Sequence, residues 1–464
     1  MTRGSISAGL NELMEEASRL NPGGSLKISD SIVSTIYGRA EEIAEGVVSR
    51  QGTPRIDWDK KLDDILTSRV FGFPSMLLLL AAVFWITVAG ANIPSEMLAT
   101  GLFWLQDRLT EILSWLHAPA WVNGFFVEGI YRCLAWVVSV MLPPMAIFFP
   151  CFTLLEDSGY LPRISFNLDN LFKRAGTHGK QSLTMSMGFG CNAAGVIACR
   201  IIESPRERLI AMITNSFVPC NGRFPTLIAL ASLLVMGAST SFGATLIVVG
   251  IVLFGIVTTL AVSWTLSKTL LKGVPSTFAL ELPPYRKPQL GKVISRSIHD
   301  RTLFVLRRAV HVAAPAGAVI WLMANIHVGD LSILAHGANW LNPLGQLLGM
   351  DGYILIAFVL GIPANEIVMP ILIMGYMSTG SMIELNSLEA LHRLFVVEHG
   401  WTWLTALCMM LFSLLHYPCA TTLWTLHKES CSLKWTALAA LIPLGVAVTV
   451  CFVVAQSVRV LGLL

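Results

Sequence analysis

Residues 435–458 run for 24 positions without a charge, and residues 134–155 for 22. At about 1.5 Å per helical residue, each run spans the roughly 30 Å hydrocarbon core of a bilayer. Lipid offers the backbone no hydrogen-bond partner, so such runs must be helices. Composition agrees: 54% of residues are hydrophobic and 13% charged, against about a quarter charged in a soluble domain. The chain is therefore read as an all-α polytopic membrane protein. Its net charge of +3 gives no case for nucleic acid as a partner. Nine cysteines are scattered without a CxxC pair or a disulfide-framework spacing. Residues 1–69 contain no h-region, so no cleavable leader is expected.

Charge divides the chain. Residues 1–70 carry 9 basic and 11 acidic residues. Two amphipathic helices are predicted there. One spans residues 7–20 around Leu10, Leu13 and Ala17; the other spans 29–48 around Ile32, Ile36, Ala40, Ile43 and Val47. Residues 72–91 form the first predicted span. Residues 93–123 hold three tryptophans and one basic residue, and read as interfacial helices on the outer side. Seven Lys/Arg in 156–208 and seven in 286–308 mark the cytoplasm, whereas 327–352 has none and reads as outside. Segment 183–199 is about 17 residues long and Gly-rich, which suits a re-entrant helix. Residues 209–266 read as two spans, 309–326, 401–426 and 435–458 as one each, and 353–377 as a span broken at GIPANE, residues 361–366. The total is about seven to nine transmembrane helices.

The most unusual stretch is 188–225, GFGCNAAGVIACRIIESPRERLIAMITNSFVPCNGRFP. Gly188, Gly190, Gly195, Pro219 and Gly222 interrupt any helix drawn through it. Arg223 lies 15 residues after Arg208, near mid-bilayer, where a charge faces a protein interior or a water-filled path. A second set echoes the first. Asn192 and Asn365 each sit in an interrupted apolar segment, and each segment is followed by a span bearing Pro-Cys, Pro219-Cys220 or Pro418-Cys419. One interrupted segment follows a basic loop and the other a loop without basic residues. That is the charge signature of an inverted repeat, whose site lies where the broken helices meet.

Thiols favour soft or borderline ions, and carboxylates and amide oxygens favour hard ones. Cys191, Cys220, Cys419, Asn192, Asn365 and Glu366 together suit a first-row ion such as Fe(II) or Mn(II) that must be bound and released. Gly190, Asn221, Arg223, His416, Pro219 and Pro418 would support the path. Competing readings are plain: Glu366 as a carboxylate paired with Arg223, and His416 as a hydrogen-bonded core residue. Met185, Met187, Met374 and Met377, and the cysteines at 133, 151, 199, 408, 431 and 451, are read as packing. No nucleophile–base pair stands out, so an enzyme is not expected. GTHGKQS at 176–182 is rejected as a phosphate loop, because Arg174 stands where the first Gly belongs and Gln181 follows the Lys.

LEDSGYLPR (155–163), GTHGKQS, GFGCN, PCNGRFP, ELPPYRKP (281–288), GIPANE and HYPCATT (416–422), with the entry IDWDKKLDDILTSRVFGFP (56–74), resemble the membrane part of the ferrous iron transport protein B (FeoB) family. The likeness runs from about Ile32 to the end, with the motifs in order. It implies two gate, or nucleoside recognition, repeats; Fe2+ as the transported substrate, with no organic cofactor; and Cys191, Cys220 and Cys419 on the metal path. It also implies a multi-pass protein of a prokaryotic cell membrane with a cytoplasmic N-terminus. The predicted organisation is a connector and docking module at 1–70, two spans with an outer segment at 71–155, a first gate repeat at 156–275, a basic linker at 276–308 and a second gate repeat at 309–464. Three departures from the family stand out. Most members begin with a GTP-binding domain, but this sequence begins in what resembles the connector after it, so a separate GTP-binding subunit is expected as partner. Small accessory iron-transport proteins and a homo-oligomer are further compatible partners, besides membrane lipid. Many members have Pro at Ala194, which would leave Gly195 to make the break. Many have Lys at Asn365. A nucleoside permease and a non-transporting scaffold are the competing function classes.

Overall fold

The computed structural model describes residues 25–47, 58–68, 71–235, 241–273, 285, 289–383, 385 and 387–462. The predicted helix at 7–20 lies outside them, as do residues 236–240 within the stretch read as two spans. Two helices precede the membrane region, α1 (Ser25–Val47) and α2 (Trp58–Leu66). On α1 the predicted apolar face is present, but Ile32, Ile36, Ile43 and Val47 are all exposed.

The long α3 (Gly72–Trp115) and α4 (Ala120–Asp157) pack along one another. At 44 residues, α3 extends about 66 Å, well beyond the hydrocarbon core. Residues 93–115 are therefore no separate interfacial helix but the continuation of the first span. Pro94 does not end it. Next come α5 (Tyr160–Arg174), α6 (Lys180–Gly190), α7 (Asn192–Ala198), α8 (Pro205–Thr214), α9 (Phe224–Val235) and α10 (Ser241–Lys268). The second half has α11 (Leu290–Arg296), α12 (Leu303–Asn325), a two-stranded hairpin, α13 (Ile333–Leu347), α14 (Gly352–Leu360) and α15 (Val368–Met377). It closes with α16 (Leu388–His392), α17 (Trp403–Leu415), α18 (Ala420–Ser430) and α19 (Leu433–Val460).

Among the described residues, six helices are long and apolar enough to cross a membrane, or seven if the bent pair α13–α14 counts as one span. One sequence expectation changes accordingly. Residues 209–266 supply one long span, α10, since α8 and α9 are short helices on either side of a break. Residues 401–426 stand as one span, kinked at 416–419 between α17 and α18.

Burial sorts the helices. The apolar stretch of α17–α18 is 72% buried, whereas those of α10 and α19 are each 22% buried. The α17–α18 unit is therefore interior. On α10 and α19, Leu246, Val257, Leu441 and Val453 point outward, a lipid-facing surface rather than a water-facing one. Packing also exchanges between halves: α10 covers α9, α8 and α17, while α19 covers α18, α17 and α8. Exchanging α8 with α17, α9 with α18 and α10 with α19 turns the first set of contacts into the second.

Candidate functional site

Each half contains a helix interrupted by one extended residue. Cys191, between α6 and α7, has φ −154° and ψ 126°. Ala364, between α14 and the 3-10 turn that opens α15, has φ −154° and ψ 125°. The Cys191 N–H still reaches Met187 O at 3.1 Å and its carbonyl accepts from Gly195 N–H at 3.0 Å, but the extended residue turns the chain, so that one helix ends and another begins inside the protein. The break falls at Cys191, not at Gly195, which sits inside α7. A Cβ at Gly195 would lie 2.5 Å from Asn215 Nδ2, and one at Gly188 would lie 2.6 Å from Asn215 Oδ1. Both glycines thus make room for Asn215, whose Nδ2 donates to the Asn192 carbonyl at 3.1 Å.

Two more breaks face these. Pro219 and Pro418 supply no N–H, and the chain kinks before Cys220 and Cys419. The Asn221 N–H then donates to Gly190 O at 3.3 Å, and the Ala420 N–H to Ile362 O at 2.7 Å. Each Pro-Cys break is stitched to the interrupted helix of its own half.

Together the four breaks enclose a cavity of about 20 Å³ lined by Cys191, Asn192, Cys220, Asn365, Glu366 and Cys419. Gly190, Met141, Met145 and Thr421 complete part of its wall. Cys191, Asn192 and Asn365 are buried, while Cys220, Glu366 and Cys419 are half-buried. Asn365 Nδ2 lies 4.0 Å from Cys220 Sγ, and Cys419 Sγ lies 3.3 Å from Thr422 Oγ1. The Asn365 Oδ1 acceptor is buried without a hydrogen-bond partner among the described residues. With its amide turned to satisfy the surrounding groups, Asn192 donates to the carbonyls of Gly188, Asn215 and Val218, each at 3.2 Å. Among the described residues, no three His, Cys, Asp or Glu side chains stand close enough to hold one metal ion. All nine cysteines are free thiols.

Arg223 is 1% exposed and does not act as a partner to Glu366 in the way the sequence suggested. Its Nη1 donates to Ser216 O and Leu414 O, both at 2.8 Å. Its Nη2 donates to His416 O at 3.3 Å and Tyr417 O at 3.2 Å. The last carbonyls of α17 have no intrahelical donor, and a cation is favoured at that end of a helix. Arg223 therefore clamps the second Pro-Cys break to the first. His416 is fully interior: its Nδ1 sits 3.0 Å from the carbonyls of Phe412 and Ser413, and its ring packs on Phe358. It supports the break and does not line the cavity.

The remaining packing assignments are mixed. Cys133, Cys199, Cys408 and Cys451 are buried, but Cys431 is exposed at the end of α18 with φ 48°. Met377 is 43% exposed, unlike Met185, Met187 and Met374. At GTHGKQS, the Gly179 N–H donates to Asp169 Oδ1 at 2.8 Å, so a carboxylate occupies the place a phosphate would take. Sequence reasoning missed Asn215, Met141 and Met145. Asn215 has no Gly or Pro beside it, and Met141 and Met145 flank Pro143-Pro144 in a stretch that reads as an unbroken span and does remain helical.

Two interrupted helices meeting two Pro-Cys breaks in a helical membrane protein define a gate-repeat membrane protein. The family model described as nucleoside recognition (Gate) matches twice, at residues 138–234 and 306–430. The model described as ferrous iron transport protein B C terminus matches residues 248–300. A protein named Fe(2+) transporter FeoB from Staphylococcus aureus is 29% identical over 423 residues, 90% of this chain and 61% of the relative. Its namesake from Synechocystis is 28% identical over 86% of this chain and 63% of its own length. That from Methanocaldococcus jannaschii is 27% identical over 94% and 65%. No solved structure matches. The chain is similar to the ferrous iron transport protein B (FeoB) family over most of its length, and it spans about three fifths of the length of the relatives, 61% in the first case.

Proposed function

We propose that this chain carries ferrous ions across a prokaryotic cell membrane, with its N-terminus in the cytoplasm. In this reading it is the permease half of an uptake system whose GTP-binding subunit is a separate chain. The observation that carries it is the convergence of Cys191, Cys220, Cys419, Asn192, Asn365 and Glu366 on one small cavity, in a chain similar to proteins named Fe(2+) transporters.

The cavity size sets the mechanism. About 20 Å³ exceeds the roughly 10–15 Å³ that one water needs, but not by much. An ion must therefore shed most of its hydration shell to enter. Thiol sulfur, amide oxygen and carboxylate would replace that water, and their mixed softness suits a borderline ion that must also leave. Asn365 Oδ1 is an acceptor already waiting for a donor or a cation. Because the ligands are not yet gathered, binding would draw the thiols inward, and this motion links occupancy to the state of the breaks. Nucleoside transport fits this cavity poorly, since drug-sized ligands fill roughly 300 Å³ or more.

Proteoliposomes offered iron-55, manganese-54 and labelled uridine test the reading. Iron uptake should exceed the other two. Uridine uptake at or above that of iron would overturn it. For the partner, full-length chain should retain a candidate GTP-binding subunit in detergent, and a version starting at Ile56 should lose it. Retention unchanged by the deletion would remove residues 1–55 from the docking surface.

A further inference from the structure

One face of α5 changes its cover partway along. Arg163, Phe166, Asn167, Asn170, Leu171 and Arg174 fall on one stripe of this helix, about 140° wide at roughly 100° per residue. Over the first turns α2 covers the stripe. Arg163 holds Asp63, and Asn167 Nδ2 donates to Leu66 O at 2.7 Å. α2 ends at Leu66, and beyond it the stripe opens into a cleft of about 610 Å³. Thr67, Ser68 and Phe73 form the facing wall.

The cleft lies at the edge of the membrane region, on the side that the basic loops mark as cytoplasmic. Phe73 belongs to the first turn of α3, and α5 follows α4 after the turn at Ser158 and Gly159. α5 therefore packs against the ends of both spans. Three large apolar side chains stand there without full cover: Phe73 is 42% exposed, Phe166 49% and Leu171 41%. Beside them, Arg174 and Asn170 are exposed and make no hydrogen bond or ion pair among the described residues. The carboxylate in the lining, Asp169, is already engaged. Its Oδ1 accepts from the Gly179 N–H at 2.8 Å, and its Oδ2 pairs with Lys173 Nζ at 3.0 Å.

An exposed cation beside bare apolar side chains at a bilayer edge is the complement of an anionic amphiphile. A free phosphate would answer Arg174 and leave the apolar side chains in water. A hydrocarbon tail alone would cover them and leave Arg174 without a partner. We propose that this cleft binds one anionic glycerophospholipid from the adjacent leaflet, with its phosphate on Arg174 and Asn170 and an acyl chain on Phe73, Phe166 and Leu171. The proposal needs the chain to sit in a bilayer and does not depend on the transport reading.

The test uses full-length chain with exposed Cys431 replaced by Ser and a bimane label on Thr67→Cys, on the wall facing α5. The Cys431→Ser chain alone supplies the blank. Liposomes hold phosphatidylcholine with a minority of phosphatidylglycerol, and bromine is carried on the chains of one lipid or the other. Brominated chains quench only a label they touch. Quenching by brominated phosphatidylglycerol should exceed its share of the bilayer by about fivefold, the weight of one arginine–headgroup contact. Arg174→Gln should bring it down to that share, and Arg174→Lys, which keeps the charge, should preserve the excess. Size exclusion identifies a variant that fails to fold. In that event wild type decides the matter, because salt should shrink the excess as it screens the contact. No excess in wild type, or an excess untouched by both Arg174→Gln and salt, would overturn the proposal. Displacement by glycerophosphoglycerol, the water-soluble headgroup, as readily as by unbrominated phosphatidylglycerol would also overturn it and give the cleft to a free phosphate ester. An unchanged excess in Arg174→Gln, with retention of a GTP-binding subunit lost, would give the cleft to that protein instead.

Discussion

Gly222 decides where Glu366 can stand. A Cβ there would lie 2.0 Å from Glu366 Oε1, the far end of a flexible side chain. Gly222→Ala should therefore fold, with Glu366 displaced, and lose iron uptake by roughly tenfold or more, since misplacement of about 1 Å is costly at a tuned site. Gly250→Ala is the control: a Cβ there meets nothing within 4 Å, so uptake and thermal midpoint should be unchanged. Arg223→Lys should behave in the opposite way. A point ammonium cannot serve four carbonyls as the planar fork does, and stability should fall by roughly 2–3 kcal/mol, read as an earlier thermal transition in detergent. At this scale the sequence was partly legible. Cys191, Cys220 and Cys419 stood out because each sits at a Gly or Pro break beside polar residues. Arg223 stood out for its depth, but three of its four partners are carbonyls of residues 414–417, some 190 positions away, and no local pattern reveals them.

Between elements, the junction of α2 with the first gate repeat is the sharpest case. Arg163 on α5, 2% exposed, donates to Asp63 on α2 from Nε at 2.9 Å and from Nη2 at 3.2 Å. Tyr285 donates its hydroxyl to Asp63 Oδ1 at 2.8 Å, and its ring lies 4.1 Å from the guanidinium carbon. The hydrogen bonds from Arg163 hold the Asp63 carboxyl below the ordinary carboxylate range, against the opposing effect of burial. Burial pushes the Tyr285 hydroxyl up to about 12. The signs follow from linkage. A depressed carboxyl contributes stability above its unfolded pKa and loses it as pH falls through the folded value. A raised phenol contributes below its unfolded pKa and loses that as pH rises through about 12. Hydrogen exchange of α2 amides should thus be flat, after correction for intrinsic rates, between about pH 5 and 10, set by the ordinary carboxylate and tyrosine values. Asp63→Asn should loosen α2 at neutral pH by about 2 kcal/mol; unchanged protection would show that the junction is held elsewhere. Three of the recognisable stretches, around Asp63, Arg163 and Tyr285, meet in this one knot. Their convergence could not be read from the sequence, because separations of 100 and 222 residues carry no periodicity. The continuous α3 escaped for a different reason. Glu96, Asp107, Arg108 and Glu111 end the apolar run, but a helix continues past the lipid without needing it.

For the whole molecule, the matching dihedrals at Cys191 and Ala364 and the exchanged packing of α10 and α19 describe one unit used twice. The inverted-repeat reading expects the two interrupted helices to enter from opposite faces. Reporter tags at Ser381 and Ser430 should then lie outside and inside respectively, and both tags on one side would refute the inversion. The central claim is that the transported ion passes the three thiols. Iron-55 uptake into proteoliposomes, by wild type and by Cys191→Ser, Cys220→Ser and Cys419→Ser at matched protein content, tests it most directly. Serine keeps nearly the size and removes the soft donor. Each substitution should cut uptake at least several-fold while the size-exclusion profile stays unchanged, and uptake equal to wild type in all three would contradict the account.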